Sequence, residues 1–266
     1  MPLSPQSSSK GLETYQGPWT KQTTTHLLNR VLFGAKQAEI QEFLAKGLSA
    51  SVTALLNPTD PIPSPPLNEY NTATVIDPAV APGTTWVNHP TNDGTINGYR
   101  RNSFKKWLTG VMIHQDISIR EKMTLFWGNH FGTEADTISF ANYVYQHHDT
   151  LRKNALGNYK TMVKAVTIDP GMLRYLNGFL NSATAPDENY GRELQELYTV
   201  GKDNAVQFTE SDVKAAARVL TGWRINASFN SYFDATRHDT GSKQFSSYYN
   251  NKVITGKSGA AGAGET

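Results

Sequence analysis

Glu193 and Glu196 stand three residues apart in the run 187–201, His130 lies near the end of the run 125–131, and Asp239 directly follows His238. Imidazoles and carboxylates are the side chains that exchange protons near neutral pH and hold divalent metal ions. On a helix, a three-residue step turns the side chain by about 60°. With Tyr190, Leu194 and Leu197 as the buried centre, Glu193 borders the core and Glu196 stands further out. His130 falls on a stripe with Met123, Phe126 and Trp127, where an unpartnered polar group would cost about 1–3 kcal/mol. It is therefore expected to be hydrogen-bonded or ligated. His238 and Asp239, in a loop beside Lys243, can supply nitrogen and oxygen ligands or a base with its orienter. The expected acid–base set is His130, Glu193, His238 and Asp239. The expected ligand set for a divalent ion is His130, Glu193, Glu196 and His238, an ion of the zinc kind lowering the pKa of bound water toward about 7. Each residue also has a plainer reading: a satisfied core histidine for His130, a salt-bridged helix face for the glutamates, a turn for Asp239.

The elements that must position these residues are mostly helical. Trp19-Thr20 opens a stretch carrying His26, Leu27, Arg30 and Val31 on neighbouring turns, with His26 and Arg30 read as helix-packing residues. A second helix over 38–46 carries Ile40, Phe43 and Leu44, with Gly47 after its end. Ser49 is the expected N-cap of a third. Helical periodicity returns over 101–114. Ser118-x-x-Glu121 then reads as a capping box, and helices follow over 136–156 and 159–168. The adjacent His147 and His148 point to different faces of an exposed helix. Asp169-Pro170 is an N-cap with proline at the first helical position. Helices over 187–200 and from Thr209 complete the series. Between them, residues 57–98 hold eight of the 13 prolines and no helical period. This long Pro-rich loop is a surface excursion or a lid, with Trp86 and Asn88-His89 inside it.

The expected fold is all-α: an irregular multi-helix domain over 19–266 with eight or more helices, preceded by a flexible leader over 1–18. A small hairpin or irregular loop is expected after Trp223, and the Gly/Ala-rich stretch 258–264 reads as flexible. The expected core includes Leu27, Val31, Phe43, Trp107, Trp127, Leu173, Leu197, Leu220 and Trp223.

Several blocks in one order resemble the bacterial family known as domain of unknown function 1800. They are His26-Leu27-Leu28-Asn29-Arg30 with Phe33-Gly34, Phe126 to Phe131, Leu151 to Gly157, Asp169 to Leu176, the run 187–201, and His238-Asp239-x-Gly241-x-Lys243. The chain departs from the family pattern at Gly128, where members commonly carry a second histidine; this weakens any two-histidine reading of that helix. The resemblance implies a domain continuing beyond residue 266, export to the periplasm or cell surface, and a co-encoded partner resembling sulfatases and alkaline phosphatases. It implies no reaction.

Composition narrows the function classes. With 25 basic against 23 acidic residues and no dense Lys/Arg block, the electrostatic footprint of a nucleic-acid binder is missing. Zero cysteines exclude disulfides, thiolate metal sites and a cysteine nucleophile. No apolar run is long enough for a membrane span, and residues 1–10 lack the apolar segment of a signal peptide. Neither a nucleophile elbow nor a phosphate-binding glycine pattern occurs, so nucleotide cofactors are not expected. Three readings remain. The first is a hydrolase-like enzyme, metal- or acid/base-dependent, with a His/Glu/Asp site. The second is a non-catalytic exported helical domain that binds a protein partner or envelope polymer. The third is a small-molecule or carbohydrate binder using Trp86, Trp107, Trp127 and Trp223.

Overall fold

The computed structural model describes residues 13–266 except 60, 116 and 203–206. Of the expected leader, residues 1–12 lie outside the described residues, and 13–18 are exposed without helix or strand. Three helices open the fold: α1 (Lys21–Val31), α2 (Gln37–Lys46) and α3 (Leu48–Leu56). Thr20 and Thr23 form a reciprocal capping box on α1. Gly47, at φ +82°, ends α2 and starts α3 at once, so the cap of α3 is Gly47 and not Ser49. Leu28, Leu32, Ile40, Phe43 and Leu55 bury together between these helices. His26 and Arg30 face solvent, contrary to their expected packing role, because Leu28 and Leu32 occupy the inward face.

The described residues of 57–93 form no helix but pack against the next one, α4 (Gly94–Ile113). Val80, Trp86 and Val87 from this segment join Phe104, Ile138 and Val144 in a second buried cluster. The indole of Trp107 donates to the Ser64 carbonyl at 2.8 Å, and Ser103 Oγ donates to that of Leu67 at 3.0 Å. Asp93 caps α4 by accepting from Thr95 and Ile96 backbone N–H groups, so the helix begins seven residues before Arg101.

α5 (Arg120–His130) starts without the expected capping box. The Glu121 carboxylate instead takes both donors of Arg152 on α7 (Ala141–Asn154), at 2.8 and 2.9 Å, with both side chains buried. Ser139, at φ +70°, separates the short α6 (Ala135–Ile138) from α7 and divides the single helix expected there. His147 on α7 is 1% exposed, held between the Asp169 carboxylate at 3.2 Å and the Phe131 carbonyl at 3.1 Å. Its burial corrects the exposed-helix expectation. α8 (Tyr159–Thr167) and α9 (Pro170–Tyr175) follow, capped by Asn158 and Asp169. With Phe131, Leu151, Tyr190, Tyr198 and Leu220, these helices enclose the largest apolar cluster.

The run 187–201 forms α10 (Glu188–Glu193), which passes without a break into a π-helix (Leu194–Thr199). Gly191 lies where α10 meets α11 (Glu210–Val219): a β-carbon there would sit 2.9 Å from the Ala217 backbone nitrogen and 3.0 Å from the Val213 oxygen. Only glycine lets the two helix backbones approach this closely. Two small antiparallel hairpins follow, β1 (Trp223–Ile225) with β2 (Ser231–Phe233), and β3 (Lys243–Gln244) with β4 (Val253–Ile254).

The Gly/Ala-rich end is a docked 3₁₀-helix, Gly259–Glu265, in place of a flexible tail. At Gly262 a β-carbon would fall 2.7 Å from the His238 ring, so the small residues serve close packing. Of the expected core, Phe43, Leu173 and Leu220 are buried, while Leu27, Val31, Trp107, Trp127 and Trp223 are half-buried against the clusters. Leu197 is 54% exposed, and so is Phe126 from the His130 stripe.

Candidate functional site

His130 and Glu193 line one open cleft of 530 Å³, with Asn129, Glu134, Thr137, Tyr175, Leu197 and Tyr198 around them. His130 reaches it from the last turn of α5, whose position is set by the Trp127 indole donating to the Ala155 carbonyl at 3.0 Å. Glu193 reaches it from the point where α10 becomes π-helical.

That change of helix type organises the site. In the π-helix the hydrogen bonds run from residue i+5 back to i, as from Val200 N–H to Gln195 at 2.8 Å. The wider turn rotates the residues after Leu194 relative to a regular α-helix. Leu197 turns outward, and Glu196 turns in to 15% side-chain exposure, paired with Lys202 at 2.5 Å. This reverses the expected order, in which Leu197 was core and Glu196 the outer residue. Glu196 is thereby committed to an ion pair.

The backbone carbonyl of Tyr198, in the last turn of the π-helix, faces the cleft. It accepts the Tyr159 hydroxyl proton and lies 3.1 Å from His130 Nε2. A carbonyl can only accept, so Nε2 carries the hydrogen. The neutral ring then holds its lone pair on Nδ1, to which no described residue donates a hydrogen bond. The Tyr159 oxygen is also 3.1 Å from Nε2 and its ring packs near the imidazole, fixing the ring plane. Burial pushes the Tyr198 phenol up to about 12, helped by the negative charge of Glu193, so it stays protonated at neutral pH.

His238 and Asp239 belong to a different place. His238 Nδ1 faces the Thr221 carbonyl at 2.9 Å, and Nε2 stands 3.2 Å from Glu265 Oε1, within ion-pair distance but outside hydrogen-bond angles. Asp239 takes Arg218 through both oxygens, at 2.7 and 2.9 Å. Among the described residues no hydrogen bond, ion pair or cavity joins His238 or Asp239 to His130 or Glu193. The expected three-segment site is therefore built from two segments only. Nor does any group of three or more His, Asp or Glu side chains among the described residues stand close enough to hold a metal ion. The ligand set His130, Glu193, Glu196 and His238 is not assembled.

Four residues around the cleft carry no signal in the sequence: Glu134, Tyr159, Tyr175 and Tyr198. Tyr198 lies inside the run 187–201, but its role comes from its backbone carbonyl, which no side-chain pattern reveals. At Gly128 a β-carbon would approach the His148 ring at 3.8 Å, away from the groups just described.

The helices place no segment long and apolar enough to cross a membrane among the described residues. No curated protein and no solved structure matches the chain significantly. Residues 26–263 match a family described as protein of unknown function (DUF1800), which spans nearly the whole chain and carries both halves of the cleft; the chain belongs to that family.

Proposed function

We propose that the chain is a hydrolase-like enzyme that activates water by acid–base catalysis in the cleft between α5 and α10. The observation that carries this reading is the 3.1 Å contact of His130 Nε2 with the Tyr198 carbonyl, which can only accept and so assigns the hydrogen to Nε2 and leaves Nδ1 as a base. In the proposed step, Nδ1 takes a proton from water while the water oxygen bonds to the electrophilic centre of the substrate. The imidazolium so formed then returns that proton to the leaving group as its bond breaks. Glu193 accepts the second hydrogen of the water and orients it. Tyr198, protonated at neutral pH, offers no competing base. The step draws on these protein groups alone.

The test is hydrolysis of a panel of p-nitrophenyl esters, phosphates and glycosides by the wild type, His130→Ala and Glu193→Gln. Positioned general bases contribute typically 10²–10⁴-fold, so His130→Ala should lower kcat/KM on the accepted class by about 10²-fold or more, with little change in melting temperature. A wild type inert toward every member, or a His130→Ala variant as active as the wild type, would move the protein to the non-catalytic binding reading.

A further inference from the structure

A larger cavity, of 720 Å³, is lined by none of the residues named in that mechanism and lies between the 57–93 segment and α4. Its size is within the range of small-ligand pockets. Its walls are aromatic: Tyr70, Tyr99 and Trp107 all line it, and the Tyr70 and Tyr99 rings run nearly parallel, 15° apart with centroids at 6.3 Å.

Two of these rings are held by hydrogen bonds, that of Tyr70 to a buried ion pair and that of Trp107 to an exposed backbone carbonyl. The Tyr70 hydroxyl donates to Asp77 at 2.6 Å, and Asp77 is held in turn by Arg100 at 2.7 Å, with both of those side chains essentially unexposed. The Trp107 indole is fixed by the Ser64 carbonyl. The rings are therefore set before any ligand arrives, which reduces the ordering cost of binding. At the rim stand Lys105 and Lys106, both exposed, and among the described residues neither has an acidic partner. Glu69 supplies a carboxylate acceptor on the same wall.

We infer that this groove binds an anionic saccharide. The flat C–H faces of sugar rings stack on aromatic side chains, hydroxyl groups donate to an acceptor such as Glu69, and ammonium groups without an acidic partner favour negative charge on the ligand. A neutral saccharide would leave both lysines without a role, and a simple anion would leave the aromatic walls without one. Of the four tryptophans considered for sugar binding from sequence, Trp86 is fully buried and out of reach, and Trp107 is the one placed on a groove of this kind.

Isothermal titration of the whole chain with tetrameric uronate and sulfated oligosaccharides, a neutral tetramer and inorganic polyphosphate tests this. Expected is saturable binding of at least one anionic tetramer, tenfold or more tighter than the neutral one. Tyr99→Ala should weaken it at least tenfold. The surface double variant Lys105→Gln/Lys106→Gln, which touches no packed group, should erase the preference for anionic over neutral ligand. Failure of every anionic tetramer to bind would overturn the inference. So would polyphosphate binding as tightly as the saccharides, or a preference unchanged in the double lysine variant.

Discussion

Replacing Glu265 by alanine is expected to lower the stability of the fold by about 3–5 kcal/mol, the typical cost of removing one partner from a buried ion pair. Lys243 is fully buried, and its ammonium donates to Glu265 Oε2 at 2.6 Å and to the Asp239 carbonyl. The Asp239 carboxylate is further away, at 3.9 Å. Without Glu265, the cation keeps one neutral acceptor and a distant charge while remaining out of water. The docked 3₁₀-helix also loses its anchor, since Glu265 Oε1 accepts the Lys257 backbone N–H at 2.6 Å. Urea unfolding at pH 7 measures the effect. The double variant Lys243→Met/Glu265→Leu should recover much of the loss, because it removes the stranded charge together with its partner. A Glu265→Ala loss below about 1 kcal/mol would mean that water reaches Lys243 and the site behaves as a surface pair.

The same carboxylates set the response to acid. Burial by itself would raise the Glu265 carboxyl, but hydrogen bonds from Lys243 and the Lys257 backbone, with the His238 ring close by, outweigh it and hold the group below its ordinary value. Arg218 holds Asp239 low in the same sense. A depressed folded pKa means that the unfolded chain binds protons first as pH falls. The stabilisation is thus fully present above about pH 4.5, the ordinary carboxylate range, and is lost as pH drops through the lower folded values. Urea midpoints should begin to fall below about pH 6.5, because burial, His147 and Arg152 push the His148 imidazole down to about 3 in the fold while the unfolded chain takes up that proton. They should fall more steeply below about pH 5 as the carboxylates protonate. Glu265→Gln should show a shallower fall.

Glu121→Ala is expected to cost a further amount of the same order, about 3–5 kcal/mol. The Arg152 guanidinium is buried against the Trp107 ring at 5.1 Å, and both of its bonds to α5 end on Glu121. Loss of a helix cap would cost only about 0.5–2 kcal/mol, so the measured value separates the two roles that Glu121 could have. A double-mutant cycle with Arg152→Met gives the cleaner answer. The pair Glu121→Leu/Arg152→Met should be closer to the wild type than either single variant, a coupling that capping would not produce. Additive losses would return Glu121 to the role of a cap.

The contrast between those two roles shows where sequence reading stops. Asp169-Pro170, Thr209 and the apolar period of α2 were legible because each acts within one or two helical turns, where spacing alone fixes which atoms meet. The mostly helical fold, with small hairpins after Trp223, follows from many such local signals together. His130 does find polar neighbours, as its place near the core requires, but they are Tyr159 and the Tyr198 carbonyl, which no spacing along the chain announces.

What only the tertiary structure decided involves partners far apart in the chain. Glu121 satisfies a capping pattern on paper, yet it is claimed by an arginine that packing brings from α7. The stretch 258–264 has the composition of a linker, yet Gly262 fits where no side chain could, against His238, and Glu265 meets a buried lysine. Leu197 and Glu196 exchange places because a turn with one extra residue rotates everything after it, and no single residue announces that turn. Local geometry repeats with a fixed period and can be counted along a chain. Long-range charge pairing and helix register depend on which surfaces exclude water together, and that is settled only when the whole chain packs.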